Sequence, residues 1–206
     1  MSKSKNVIIS PHVDDELLGS FSFLNSETTV VETGVDEFHV VNKDERLDEL
    51  DKLANHCGFN YEILENKVNN FELKNLIDNY EEQLNRLQPN LVLIPYPSYN
   101  QDHRAVYDAA LVALRHHDTN HFVKKVLVFE QPHSFLWDYN HNISGSFKPN
   151  YYKKLDIENK IESYKLLESQ VRGHRSPEIL RTLAKLRGMQ SGFDYAEAFQ
   201  IIRWID

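Results

Sequence analysis

Apolar residues in this chain come in short runs separated by longer polar stretches. The runs Val7-Ile8-Ile9, Thr29-Val30-Val31, Phe38-His39-Val40-Val41, Tyr61-Glu62-Ile63-Leu64, Leu91-Val92-Leu93-Ile94 and Val126-Leu127-Val128-Phe129 have the length and the β-branched or aromatic content of strands. Between most of them the apolar positions fall at helical spacing instead. Leu47, Leu50, Leu53 and Ala54 form one such stripe, Leu73, Leu76, Ile77, Tyr80 and Leu84 a second, and Val106, Ala109, Ala110, Ala113 and Leu114 a third. Strand and helix thus alternate, which predicts an α/β fold: a Rossmann-like, mostly parallel sheet with helices on both faces and its ligand site beyond the carboxyl ends of the strands.

The pattern stops between Gln131 and Asn150, a stretch holding His133, Trp137, Tyr139, His141 and Phe147. Long irregular segments of this kind often carry function. Two more helices are expected, over Ile157 to Ser169 and over Pro177 to Arg187, the second capped by Ser176 with proline as its first residue. Gln200 to Trp204 reads as a last strand.

Size and charge narrow the classes. With 206 residues, 41 % of them hydrophobic, the chain suits a single domain over 1–206 with one full core. A formal charge of −8 argues against nucleic acid or an anionic membrane surface as partner and favours a small soluble substrate. Cys57 is the sole cysteine, so no disulfide framework or thiolate cluster is available. The apolar run at 7–9 is far short of a signal-peptide core or a spanning helix. A cytoplasmic protein is expected, of open oligomeric state.

The chemistry concentrates where strands end. His12-Val13-Asp14-Asp15-Glu16 follows the first apolar run. A strand ending at Ser10 leaves His12 and Asp15 in a turn, three residues apart and able to share a cation, with Asp14 left as a base. A third ligand is available in His103, in Tyr99-Asn100-Gln101-Asp102-His103-Arg104 after the run at Leu91. Two histidines and a carboxylate with one open position make a familiar hydrolytic zinc site. The plainer alternatives are that Asp14, Asp15 and Glu16 cap a helix, that Asp102 does the same, and that His103 is a surface residue.

His-x-Asp-Asp-Glu after the first strand and Asn-x-Asp-His-Arg after a later one resemble the zinc-dependent N-acetyl-sugar deacetylases related to the PIG-L and LmbE proteins. The resemblance extends through Arg46-x-x-Glu49, Ala54, Gly58, Glu130-x-Pro132, Glu168-Ser169-Gln170, His174-Arg175-Ser176, Arg187-Gly188 and Tyr195 to Phe199. It implies Zn2+, or another divalent metal, on His12, Asp15 and His103, with Asp14 as general base. Many relatives carry histidine where this chain has Asn100, so the resemblance puts Asn100 among the catalytic residues as the oxyanion donor and makes His133, His141 and above all His174 candidates for the acid. It also implies that Arg46 reaches the substrate, whereas its spacing to Glu49 equally suits an intrahelical ion pair.

The expected activity is removal of the acetyl group from an N-acetylated amino sugar or its conjugate. Hydrolysis of another amide or a phosphoester, and sugar or nucleotide binding without catalysis, are the alternatives. A dinucleotide oxidoreductase is set aside, because His12 to Glu16 stands where a Gly-x-Gly-x-x-Gly turn belongs.

Overall fold

The computed structural model describes residues 5–35, 41–117, 119–132 and 147–206. Its strands are β1 Asn6–His12, β2 Thr28–Gly34, β3 Asn60–Ile63, β4 Leu91–Pro95, β5 Lys125–Phe129, β6 Tyr151–Lys154 and β7 Ala196–Trp204. They form one sheet in the order β3-β2-β1-β4-β5-β7-β6. From β3 to β5 every pairing is parallel, and β7 joins β5 and β6 antiparallel. The mostly parallel α/β sheet is therefore as expected, with an antiparallel edge that the apolar runs did not reveal.

The helices are α1 Asp15–Ser20, α2 Lys43–Cys57, α3 Leu73–Leu87, α4 Gln101–Ala113, α5 Ile157–Tyr164 and α6 Pro177–Ser191. Every residue of β2 and β4 is buried, because the sheet is covered on both faces. On one face Ile8, Val30, Leu93 and Leu127 pack with Leu17 and Leu18 of α1, Leu50 and Leu53 of α2, Ile161 of α5 and Leu180 of α6. On the other, Val7, Ile9, Val31, Val92 and Val128 meet Leu76, Tyr80 and Leu84 of α3 and Val106 and Ala109 of α4. Each of these buried aliphatic side chains contributes about 1.5–3 kcal/mol relative to exposure.

Local signals set the helix ends. Asn42 accepts from Glu45 N–H and starts α2, and Gly58, at φ 80°, ends it in the left-handed conformation. Ser176 accepts from Ile179 N–H ahead of Pro177 in α6, as the sequence predicts, but α6 runs on to Ser191 rather than Arg187. Conversely, α5 stops at Tyr164, and a 3-10 turn over Glu168–Gln170 replaces the expected last turn. The final strand begins at Ala196 rather than Gln200. Of the run at 38–41, residues 38–40 lie outside the described residues and Val41 lies in no strand. His133, Trp137, Tyr139 and His141 also lie outside them.

Two buried ion pairs hold the helical layer against the antiparallel edge. Lys160 of α5 donates to Glu197 of β7 at 2.6 Å and to Leu18 O of α1 at 2.7 Å. Glu197 in turn accepts from the backbone N–H groups of Phe21 and Ser22. Arg187 of α6 clasps Glu130 through both carboxylate oxygens. At Gly19 of α1 a Cβ would run into the Phe129 ring and stand 2.6 Å from Glu130 O, so glycine lets α1 lie directly on β5.

The sheet order reverses between β1 and β4. Chain continuations from adjacent strands leave there toward opposite faces, and the crevice between them is where sheets of this type bind ligands.

Candidate metal centre and active site

β1 carries the chain as far as His12, so this histidine closes the strand rather than lying in the turn after Ser10. Asp15 is likewise not in the turn but is the first residue of α1. The turn itself is Val13-Asp14. Asp14 has φ 129°, ψ −25°, a sparsely populated conformation that costs on the order of 1–3 kcal/mol. Its surroundings impose it. Arg46 Nη2 donates to Val13 O at 2.5 Å, Asp14 N–H donates to Glu16 Oε2 at 2.9 Å, Leu18 N–H donates to Asp14 O at 2.8 Å, and Ser10 Oγ donates to His12 O at 2.7 Å.

The three expected ligands converge. His12 Nδ1 lies 3.3 Å and His103 Nε2 3.2 Å from Asp15 Oδ2, and one ligand atom from each residue falls within 4.8 Å of the other two. A tetrahedral zinc with bonds of about 2.0–2.2 Å places its ligand atoms roughly 3.3 Å apart, so the donor set fits that ion in both chemistry and spacing. His103 is 2 % exposed and is no surface histidine.

Asp102 completes the centre from behind. Its Oδ2 accepts Asn69 N–H at 2.7 Å and lies 3.0 Å from His12 Nε2. An oxygen already accepting from one N–H is an acceptor for the imidazole as well, which puts a proton on Nε2 and leaves Nδ1, the nitrogen 3.3 Å from Asp15 Oδ2, as the one a metal would take. Asp102 is not the cap of α4. Asn100 is, accepting from Asp102 N–H through Oδ1 at 2.8 Å. Nor does Asp14, at the N-cap of α1, make a side-chain capping bond.

Electrostatics follow from burial and pairing. Burial works against a charged His12, but Asp102 and Asp15 outweigh it and raise its pKa to about 10, so this point of the structure draws positive charge, as proton or metal. Burial opposes ionisation of Asp15 too, yet His103 and His12 hold its carboxyl well below the ordinary value. Asp14 is raised by burial, partly offset by Arg175. Beneath the turn, Glu16 is pushed up to about 8 chiefly by burial. Glu32 of β2, desolvated and beside Glu16, is raised well above the usual carboxyl range.

Several partners escaped the sequence reading. Arg175 Nη1 donates to Asp14 Oδ2 at 2.6 Å and Nη2 to Gln170 Oε1 at 3.2 Å. It belongs to the 3-10 turn Gly173–Arg175, beside the histidine the resemblance singled out. The backbone of His174 is in that turn, and its side chain lies outside what is described. Glu32 was visible as the one carboxylate in a strand of otherwise apolar and threonine character.

The expectation that Arg46 clamps the substrate is corrected by its geometry. The residue is 4 % exposed and its guanidinium is taken up by Val13 O, by Ser169 Oγ at 3.1 Å and by Glu49 at 3.5 Å. The intrahelical pair is present, and Arg46 braces the turn that holds Asp14.

No protein-family model matches the chain, and no curated protein matches it in sequence. Solved structures do match in shape. The conserved protein TT1542 from Thermus thermophilus superposes with a TM-score of 0.78 at 19 % identity, over 98 % of this chain and 96 % of its own. The N,N'-diacetylchitobiose deacetylase from Pyrococcus horikoshii gives 0.78 at 18 % identity, over 98 % and 85 %. GalB, the 4-carboxy-2-hydroxymuconate hydratase from Pseudomonas putida KT2440, gives 0.70 at 19 % identity, over 98 % of each. The chain therefore has, over nearly its whole length, the α/β fold on which a sugar deacetylase and a hydratase are both built.

Proposed function

We propose that this protein is a zinc-dependent hydrolase that removes the acetyl group from an N-acetylated amino sugar or its conjugate, releasing acetate and a free amine. The observation that carries the reading is the convergence of His12, Asp15 and His103 with Asp102 behind His12 and the buried Asp14 carboxylate beside them. A fold shared with the chitobiose deacetylase supports the amide substrate. When bound, the metal supplies a Lewis acid and makes water acidic near pH 7.

The protein's own groups do the rest. Asp14, raised by its burial, accepts the proton of the attacking water, and Arg175 fixes the orientation of its carboxylate through the 2.6 Å bond. Asn100 uses Oδ1 as the cap of α4 and keeps its amide N–H groups as the donor for the oxygen that becomes negative. Asp14 then returns its proton to the departing amine, with His174 as the second candidate for that step. Arg46 acts through the turn it braces.

The substrate is a small soluble molecule, and a cytoplasmic setting suits an acidic chain whose sole cysteine is the free Cys57. No described helix is long and apolar enough to cross a membrane. Purified protein is expected to hold about one zinc per chain, lost in Asp15→Ala. Asp14→Asn should retain the metal while acetate release falls by about 10²–10⁴-fold; unchanged turnover with metal bound would overturn the assignment.

A second reading has its own support. GalB adds water across a different bond on the same fold, and a metal, a base and an anion-stabilising donor serve hydration as well. Disappearance of the ultraviolet absorbance of a conjugated enol acid, without acetate release, would favour it.

A further inference from the structure

Three arginines converge on the short turn Glu168–Gln170 at the edge of the site, and their commitments differ. Arg46 donates to Ser169 Oγ at 3.1 Å and has Glu49 at 3.5 Å. Arg175 is bound to Asp14 at 2.6 Å and to Gln170 at 3.2 Å. Arg172 makes one long hydrogen bond, Nε to Ser169 O at 3.4 Å, and among the described residues no carboxylate pairs with it. It is half-buried. Burial and the neighbouring Arg175 both push its pKa down from the ordinary arginine value, with Asp14 opposing.

Asp14 engages Arg175 and Glu49 lies beside Arg46, so Arg172 is the one guanidinium of the three with no carboxylate partner among the described residues, and like charges held this close favour a further anion beside it. Glu168, on the same turn, is solvent-exposed and is bonded to none of the three among the described residues. The two Nη groups of a guanidinium form a planar fork that matches a carboxylate or a phosphate. In a chain of formal charge −8, a half-buried guanidinium without a carboxylate partner among the described residues gives an anion one place to bind.

We propose that Arg172, backed by Arg175, receives an anionic group of the substrate, a carboxylate or a phosphate, so that the acetylated amine is presented to the metal centre by a substrate anchored through its charge. This rests on the deacetylase reading and narrows its substrate to acidic amino-sugar derivatives.

The test uses three probes on the zinc-loaded full chain: neutral N-acetylglucosamine, N-acetylglucosamine 1-phosphate and N-acetylmuramic acid. Dissociation constants come from calorimetry and turnover from acetate release. Wild type should bind at least one anionic probe roughly 10- to 100-fold more tightly than the neutral one, the range of a charge-assisted hydrogen bond. Which probe is preferred separates phosphate from carboxylate. In Arg172→Gln the preference should fall below about threefold, with Arg172→Lys, which keeps the charge without the fork, in between.

Equal affinity for all three probes in wild type, or a preference that survives in Arg172→Gln, overturns the proposal. Selective binding of an anionic probe without acetate release sinks deacetylation and leaves anion recognition standing. Acetate release from all three with equal affinity does the reverse.

Discussion

Replacing Asp102 by asparagine tests how the centre is organised, because it changes charge while keeping shape. In the wild type one oxygen, Oδ2, receives both Asn69 N–H at 2.7 Å and His12 Nε2 at 3.0 Å. The asparagine must turn its carbonyl to these same donors, since an NH2 there would oppose two N–H groups. The hydrogen bonds are then kept while the negative charge that helps raise the His12 pKa is lost. Carboxylates behind a metal-bound histidine are worth about 10–100-fold in metal affinity. At free zinc 100 times the wild-type Kd, binding adds about 2.7 kcal/mol to wild-type stability, whereas a 100-fold weaker variant gains only about 0.4 kcal/mol. Competition with a chromophoric chelator gives both constants, and thermal unfolding with and without zinc gives the stability difference. A variant that binds zinc within twofold of wild type would refute the claim that Asp102 sets the state of His12.

Other outcomes follow from the same geometry. Metal-free protein at pH 7.5 carries a proton on His12 that the ion must displace, because the folded pKa of about 10 lies above that pH. Zinc binding should release about one proton, read by calorimetry in buffers of different ionisation enthalpy, with affinity rising as pH rises toward 10. In the metal-free protein the same raised pKa contributes stability that is complete below the unfolded value of about 6.5 and is lost as pH climbs through 10; this slope should vanish in His12→Ala by denaturant titration. Gly19→Ala should cost about 1–3 kcal/mol in thermal or urea unfolding, since one of the atoms its methyl meets is the Glu130 carbonyl oxygen at 2.6 Å. Lys160→Met should cost about 3–5 kcal/mol by leaving Glu197 buried without its cation, and adding Glu197→Gln should recover part of that loss.

The parallel half of the sheet was legible because strands covered on both faces become continuous apolar runs, as in Val7-Ile8-Ile9 and Leu91-Val92-Leu93-Ile94. β6 was not: Tyr-Tyr-Lys-Lys at an edge is only partly buried and shows no apolar run. The convergence of the candidate ligands was legible because the fold brings successive strand ends to one rim, and His12 and His103 both follow such runs. Arg175 was hidden for the opposite reason. Its bond to Asp14 spans 161 positions and nothing local to either residue announces it. Arg46 shows a local rule holding while missing the main point, for the pair with Glu49 exists at 3.5 Å but the bond at 2.5 Å to Val13 O is what shapes the site.

The switch point between β1 and β4 also orders events in time. His12 and Asp15 leave the ribosome together, but the histidine that completes the set comes after β4, which pairs beside β1 only once β2, α2, β3 and α3 have been made. That closure over a long span of chain is among the slow steps of building such a sheet. A nascent chain ending before β4 has two of the three candidate ligands and no complete centre. On the proposed reading, metal capture is therefore coupled to insertion of the central strand, and the first molecule with a complete candidate site is one whose two helical layers have already met across the sheet.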